Sequence, residues 1–592
     1  MRNLIIYDYE VFKYDTLLGA IIINDDVTVY QTWDLTEQLQ FYLDNKESIW
    51  LGHNNSSYDN FILEAVVKGW SSEQIKALSD KIITTRKKHL SIPLNYYDLM
   101  EGFTSLKLLE CAMGKNISTS EVDFAIDRPL TDEEKRKTES YNRDDLFQTL
   151  DDFNYLKGAF LLRLDVIKEF GLSLDNLHVT GTQLAENVLH AEYIDGIESW
   201  RVPPMLYPQL QVKNKDVLDF YLNEDFKSGK KLSVELCGVK HQLGSGGIHA
   251  ARSKYHTDWA YYFDVSGYYN LVMINYDLLP RSIPEEYRQF YKDMYKKQLE
   301  MKVTAPEKRW TYKVILLSVF GAMTNEWCKF YDPYRGQLVT ITGQIFLVDL
   351  LEKLEGKVEL VQSNTDGIIA KPLPGVSDEE LLSIINEWQQ RTGFELHLDK
   401  ITDIHQRDVN CYMYKNKKGE ICTLGDIKHY MASDNVFYYK SYNAKEPWII
   451  AKCIVEYFMS HKLPEQTIAE TADDLQMFQC ICKKGTFDGL EYEYTDTDGQ
   501  QSTIILPSIS RAFALKTDYG TGILSKTRKE GKTAKTKIAG MPDSVFIYND
   551  DIHNNTAKAE IQSKIDWQYY INRAYERIQE FLDIELLKDV KL

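Results

Sequence analysis

Nothing in the 592-residue sequence approaches eighteen consecutive apolar residues, which excludes an ordinary hydrophobic membrane-spanning segment. Closely spaced cysteines are also missing. The eight are scattered, and the nearest two, Cys480 and Cys482, lack the two-residue gap of a zinc knuckle. They read as reduced core thiols of a cytoplasmic protein. No internal repeat and no low-complexity tract is present, so solenoid and fibrous classes drop out. The opening run Met1–Glu10 enters a strand-like apolar stretch and meets an acid at Asp8, unlike a cleaved leader. Positive charge is the other deficit, with 69 Lys and Arg against 88 Asp and Glu, a net charge of −19. Any contact with nucleic acid must therefore be made by local basic surface. One such stretch carries Lys526, Arg528, Lys529, Lys532, Lys535 and Lys537 against the single Glu530. It is either a solvated lysine loop or a surface that follows a phosphate backbone.

What remains is an ordinary globular composition, 44% hydrophobic and 27% charged, in a chain too long for one core. Three or four subdomains are expected, and alternating strand and helix signals predict α/β and α+β layers. Thr131-Asp132-Glu133-Glu134 has the form of a capping box and predicts a helix to about residue 163. Ser282-Ile283-Pro284-Glu285 and Thr304-Ala305-Pro306-Glu307 predict two more helix starts, the helices running to about Lys302 and Gly321 as an antiparallel hairpin. A glycine-rich break, Gly244-Ser245-Gly246-Gly247, precedes an aromatic strand from Trp259 to Phe263.

Two groups of carboxylates stand out. Asp8 and Glu10 lie two apart on a strand, hence on one face. Two such charges on a buried face repel and cost desolvation unless a cation joins them. The polar turn Gly52–Tyr58 delivers Asp59 ahead of Phe61-Ile62-Leu63, and Tyr141 and Asp145 share a helix face at i and i+4. Further on, the strand Tyr261-Tyr262-Phe263 ends in Asp264. A predicted hairpin, Val358–Gln362 with Ile368–Ala370, carries Asp366 at its turn. Between them Arg309 and Lys313 present two cations on one helix face. Strand carboxylates facing a basic helix suit metal-assisted chemistry on a triphosphate.

The first group resembles the signature of the DEDD-type 3′→5′ exonucleases: Asp-x-Glu, then Asn-x-x-Tyr-Asp (Asn55 to Asp59), then Tyr-x-x-x-Asp. The second resembles the motifs of family B DNA polymerases, especially compact phage and plasmid members. Asp264-Val265-Ser266-Gly267-Tyr268-Tyr269 is similar to motif A, Lys313–Gly321 to motif B, and Gln362-Ser363-Asn364-Thr365-Asp366-Gly367 to motif C. The resemblance covers residues 1 to about 430. It implies an RNase H-like exonuclease domain (1–165), a linker and N-terminal palm region (166–260), palm (261–282 and 326–455), fingers (283–325) and thumb (456–592).

By the same resemblance, Asp8, Glu10, Asp59 and Asp145 hold two Mg²⁺ or Mn²⁺ ions, and Tyr141 orients the attacking water. Asp264 and Asp366 hold two more. Lys302, Arg309 and Lys313 neutralise the triphosphate, and Tyr269 stacks under the deoxyribose. Asn55, Gly246, Gly247, Tyr412, Lys529 and Lys532 are the implied DNA contacts. The implied partners are primer–template DNA, dNTPs and replisome accessory proteins, with a monomer working in the cytoplasm, in a bacterial host if the source is a phage. Only 49 residues separate Asp264 from Lys313, which leaves no room for a protein-priming insertion, so no terminal protein is expected. The family pattern is broken at Asn364 (commonly aspartate), Gly267, Asn270, Leu317, Phe320, and Gln298 (usually arginine), where Lys297 is a possible substitute. An exonuclease with a degenerate polymerase half, or a non-catalytic DNA-binding replisome protein, are the alternative readings.

Overall fold

The computed structural model describes residues 3–24, 26–85, 90–100, 104–117, 120–197, 207–222, 230–244, 246–265, 267–431, 446–528 and 535–582. The chain forms two compact units, one from residues 1–178, 429–452 and 465–573, the other from 179–428, 453–464 and 574–592. The stretch expected as a single C-terminal subdomain, 456–592, is thus divided between them. No described helix is long and apolar enough to cross a membrane.

The first unit begins with strands β1 (Leu4–Val11), β2 (Thr16–Ile23), β3 (Val27–Thr32), β4 (Ile49–Gly52) and β5 (Asn95–Asp98). They form one sheet in the order β3-β2-β1-β4-β5. β1 to β3 form an antiparallel meander, while β4 and β5 run parallel to β1. Central strands of such a sheet are covered on both faces, so β2 reads as a continuous apolar run, and β1 does so apart from Asp8 and Glu10. Helices α1 (Leu35–Asn45), α2 (Asp59–Val67) and α3 (Ser72–Thr84) supply Phe41, Phe61, Ile62 and Ile75 to its core around Trp50. Helix α4 is Leu106–Ala112, and α5 runs for 38 residues, Asp132–Glu169, with Thr131 and Glu134 forming the expected capping box.

The same unit contains a three-stranded sheet of Cys480–Lys483, Ile509–Ala514 and Val545–Ile547, and a four-stranded one of Gln501–Leu506, Gly489–Thr495, Thr521–Thr527 and Thr536–Lys537. Arg511 is fully buried on the central strand of the smaller sheet, and among the described residues it makes no ion pair with a carboxylate. Its Nε donates to Gln479 Oε1 at 2.8 Å, Nη1 to Asp550 O at 2.8 Å, and Nη2 to Lys115 O at 2.8 Å and Cys111 O at 3.1 Å. Two of these acceptors are carbonyls around the C-terminus of α4, one of them, Cys111 O, shared with Gly114 N at 3.2 Å, and a cation there complements the helix dipole.

The second unit is built on a nine-stranded antiparallel sheet in the order β14-β13-β12-β9-β11-β10-β8-β7-β6. Its strands are β6 (Leu232–Leu236), β7 (Val239–Leu243), β8 (Ile248–Ala251), β9 (Tyr255–Val265), β10 (Val358–Asn364), β11 (Gly367–Pro372), β12 (Leu396–Asp408), β13 (Cys411–Lys415) and β14 (Ile421–Leu424). The helices are α6 (Gly181–Val188), α7 (Lys215–Leu222), α8 (Tyr268–Asn275), α9 (Glu285–Thr304), α10 (Arg309–Ala322), α11 (Pro333–Leu354) and α12 (Asp378–Thr392). Almost all of α11 is buried. Its one buried anion, Asp349, receives a two-pronged bond from Arg391 at 2.8 and 2.9 Å.

The α9–α10 hairpin is antiparallel: Gln298 meets Arg309, and Tyr291 meets Leu316. Its two helix starts differ from the expectation. α9 begins at Glu285 and α10 at Arg309, neither with a side-chain cap. In both motifs the residue that would open the helix, Ile283 or Ala305, precedes a proline and is pushed out of the α region by the proline ring. Ala305 accordingly takes φ −154°. All eight cysteines are free thiols, as their scatter suggested.

Arg511→Leu removes the guanidinium donors from Gln479 Oε1, Lys115 O and Asp550 O and leaves Cys111 O with Gly114 N alone. We expect the urea midpoint of the first unit to fall, with a loss of at least ~3 kcal/mol for several unsatisfied buried groups. A denaturation curve followed by tryptophan fluorescence measures it.

Candidate functional site

In the first unit, β1 places Asp8 and Glu10 on one face, and α5 crosses to bring Asp145 to them. The ligand oxygens of Asp8, Glu10 and Asp145 all lie within 4.8 Å of one another. Asp59 opens α2, and its Oδ1 accepts from Tyr9 N at 3.1 Å, which fixes it beside the same strand. The turn that delivers Asp59 is organised by Asp98 at the end of β5, which accepts from Asn54 N at 2.8 Å, Ser56 N at 3.1 Å and Met100 N at 2.9 Å. Tyr141 lies beside Asp145, one turn away on the same face of α5. Asn55, expected to contact DNA, lies fully buried, its Nδ2 donating to Tyr97 O at 3.4 Å.

These carboxylates share a dry, like-charged site. Burial first, then the Asp145 charge, push Asp8 up to about 7. Burial and the neighbouring acids likewise hold Glu10 and Asp59 well above the usual carboxylate range. Burial, with the charges of Asp145 and Glu10, pushes the Tyr141 phenol up, so it stays a hydrogen-bond donor. Two partners had no sequence signal. Lys107 on α4 donates to Asp145 Oδ1 at 2.9 Å and Glu110 Oε1 at 3.1 Å, 5.3 Å over the Tyr141 ring. Asn142 Nδ2 donates to Asp8 Oδ2 at 3.0 Å, its own Oδ1 held by Gln31 at 2.9 Å. Clustered hard oxygens that repel one another when ionised fit a divalent cation.

In the second unit, Gly367 pairs with Asp264 across β9 and β11, and Val265 N donates to Asp366 O at 3.0 Å. That register brings Asp264 and Asp366 together at one end of the sheet. Burial first, then Asp366, raise Asp264, against the opposing pull of His397 and Lys302. Burial also raises Asp366. This pair of mutually repelling oxygens fits divalent cations on the same grounds. Lys313 is lowered by burial and by Arg309 and Lys302, which gathers the three expected cations into one field near Asp264. Its Nζ lies 4.5 Å from the Trp310 ring centroid.

Around this pair the remaining motif residues converge. Tyr269, on the first turn of α8, stacks on Phe320 with ring centroids 4.1 Å apart and lies beside Thr365. Buried Tyr412 lies beside the side chains of Gln362 and Asn364. Between β7 and β8 the glycine turn runs against Asp366's neighbour: a Cβ at Gly247 would sit 2.6 Å from Thr365 Oγ1. Buried Gln344 on α11 fixes that turn, donating to Gly244 O at 2.7 Å and accepting from Gly244 N at 3.3 Å. Lys230, Lys231, Gln242, Gly246 and His249 line a cavity of about 240 Å³ there. Lys529 and Lys532 lie outside the described residues.

The departures from the family pattern have local causes. Gly267 has φ +62°, and a Cβ there would sit 3.0 Å from the Tyr295 ring. Asn270 accepts from Tyr291 OH at 2.9 Å, and Gln298 Oε1 holds Arg309 Nε at 3.0 Å. Lys297 stands over the Tyr312 ring, 4.6 Å from its centroid.

The raised carboxylates give a pH dependence with a definite sign. Asp8 binds a proton in the folded state between its unfolded value and about 7. The native state therefore holds more protons than the unfolded one, and stability falls as pH rises through that window. With divalent cations chelated, the melting temperature should drop between pH 5 and 8. Mg²⁺ should reduce the drop and Asp8→Asn should flatten it, as read by calorimetry.

No protein-family model matches the chain, and no curated protein matches it. Among solved structures, it is similar to the family B DNA polymerase from the hyperthermophilic archaeon Pyrobaculum calidifontis. The TM-score is 0.42 and the identity 13%, over 99% of this chain and 78% of that one. At that score the likeness decides nothing about function.

Proposed function

We propose that the chain is a DNA-directed DNA polymerase with a 3′→5′ proofreading exonuclease, extending a nucleic-acid primer. The observation that carries the reading is the second site. Asp264 and Asp366, joined by the β9–β11 register, stand beside the Tyr269–Phe320 stack and in the field of Lys302, Arg309 and Lys313. The sheet order β3-β2-β1-β4-β5, with four carboxylates at β1, α2 and α5, supports an RNase H-like exonuclease. The nine-stranded sheet is then the palm and the α9–α10 hairpin the fingers.

In this reading Asp264 and Asp366 hold two Mg²⁺ or Mn²⁺ ions, which supply Lewis-acid stabilisation of the negative charge that develops on the phosphate. The chain's own groups do the rest. Lys302, Arg309 and Lys313 bind the triphosphate and offset its charge. The Tyr269 ring, braced flat by Phe320, forms the floor under the sugar and leaves no space for a 2′-hydroxyl. The glycine turn offers bare backbone to the template, and Lys230 and Lys231 add positive charge beside it. In the first unit, Asp8, Glu10, Asp59 and Asp145 hold the ions, and Tyr141 donates a hydrogen bond that orients water. Lys107 fixes Asp145.

A labelled primer–template with Mg²⁺, with and without dNTPs, tests this. Wild type should elongate the primer with dNTPs and shorten it without them. Asp8→Ala should lose at least ~100-fold of the shortening and keep elongation, and Asp366→Ala the reverse, the scale expected when transition-state electrostatics are removed. Shortening by wild type in both conditions would leave an exonuclease whose second site is inactive.

A further inference from the structure

The far end of the β9–β12 ladder carries ligand-bearing side chains that the catalytic reading does not use. His256 on β9 pairs directly with His405 on β12, and their rings stack with centroids 4.3 Å apart. Asp403 lies two residues before His405, in a stretch where the β12–β13 register slips. Its backbone is left-handed at φ +54°, a region that aspartate enters more readily than most L-residues. Asp403 Oδ1 stands 3.0 Å from His405 Nε2, and Oδ2 accepts from Lys415 Nζ at 2.7 Å. Ligand atoms of His256, Asp403 and His405 all lie within 4.8 Å of one another. Exposed Asp258 adds an oxygen 3.7 Å from His256 Nε2.

The hydrogen bonds set the ring chemistry. His256 Nδ1 lies 3.0 Å from Ile404 O, and a carbonyl only accepts, so Nδ1 carries the proton and Nε2 presents its lone pair. A ring nitrogen tied to a backbone carbonyl while the other faces the site is the usual outer support of a metal-bound histidine. Lys415 holds the second carboxylate oxygen and leaves Oδ1 turned toward both rings. Two imidazoles with one or two carboxylates favour a borderline cation such as Zn²⁺, Co²⁺ or Ni²⁺ over Mg²⁺, which selects oxygen. Eight residues of strand, roughly 26 Å at ~3.3 Å each, separate His256 from Asp264, so this is not an extension of that pair.

We propose that His256, Asp403 and His405, with Asp258 at the rim, bind one transition-metal cation of the Zn²⁺ class, which clamps β9 to β12. Without the cation, the His405 Nε2 proton bridges to Asp403. Coordination through Nε2 moves that proton to Nδ1 of the same ring, with no net release, and Asp403 passes from accepting a proton to ligating.

Full-length protein stripped by chelation and then titrated with Zn²⁺ under saturating Mg²⁺, which occupies the carboxylate clusters, tests the site. Wild type should bind one Zn²⁺ more per chain than His256→Ala or His405→Gln, and Asp403→Asn should bind it at least tenfold more weakly. Zn²⁺ should raise the melting temperature of wild type and not of His256→Ala. His256 is exposed, so its substitution leaves the fold to report on the metal alone. Equal Zn²⁺ stoichiometry and affinity in wild type and His256→Ala would overturn the proposal.

Discussion

The second unit depends on one register. With Gly367 opposite Asp264 and Val265 N bonded to Asp366 O, the turn of β10 and β11 is anchored to the end of β9. Thr365 then faces Gly247 and Tyr269, Asn364 faces Tyr412, and Asp366 faces Asp264. A slip of one residue would turn every one of these side chains to the opposite face of the sheet. Alternation along three neighbouring strands therefore holds the site together. Gln344 carries the same constraint into α11, since it reads the backbone of Gly244 and anchors the glycine turn from beneath.

The first unit meets a different constraint, the repulsion of several acids in one dry pocket. Its neighbours temper that repulsion without abolishing it. Lys107 meets Asp145, Asn142 meets Asp8, and a backbone N–H meets Asp59. Each leaves part of the carboxylate's capacity toward the shared centre. The pocket is stable with protons or cations in it, and its occupancy is thereby tied to pH and to divalent ion concentration.

What was legible in the sequence was what local spacing encodes. Asp8 and Glu10 two apart on a strand, Tyr141 and Asp145 four apart on a helix, and Asp366 at a hairpin turn each follow from a period of two or four residues. The Thr131 capping box was equally readable, whereas those at Ser282 and Thr304 failed because a proline sits inside each. Lys107, Asp98, Asn142 and Gln344 carried no such mark. Each meets its partner across tens of residues or more, from elements whose adjacency exists only after folding. Asn55 shows the reverse case: it sits in a motif, yet its burial could not be read from the sequence, because motif membership does not specify which way a side chain turns.

The buried guanidinium of Arg511 also has a consequence in time. It closes carbonyls of residues 111 and 115, separated from it by 400 and 396 positions of chain. During synthesis at roughly 5–20 residues per second, α4 waits on the order of 20–80 s for the donor that completes it. Through that interval Lys107, the residue on α4 that meets Asp145, rides on a helix whose last turn is held by its own backbone bonds, from Met113, Gly114 and Lys115, without the guanidinium. The first unit reaches its native arrangement only after most of the polypeptide has left the ribosome. Its early strands and its late ones belong to one folding event, although nearly the whole of the other unit is translated between them.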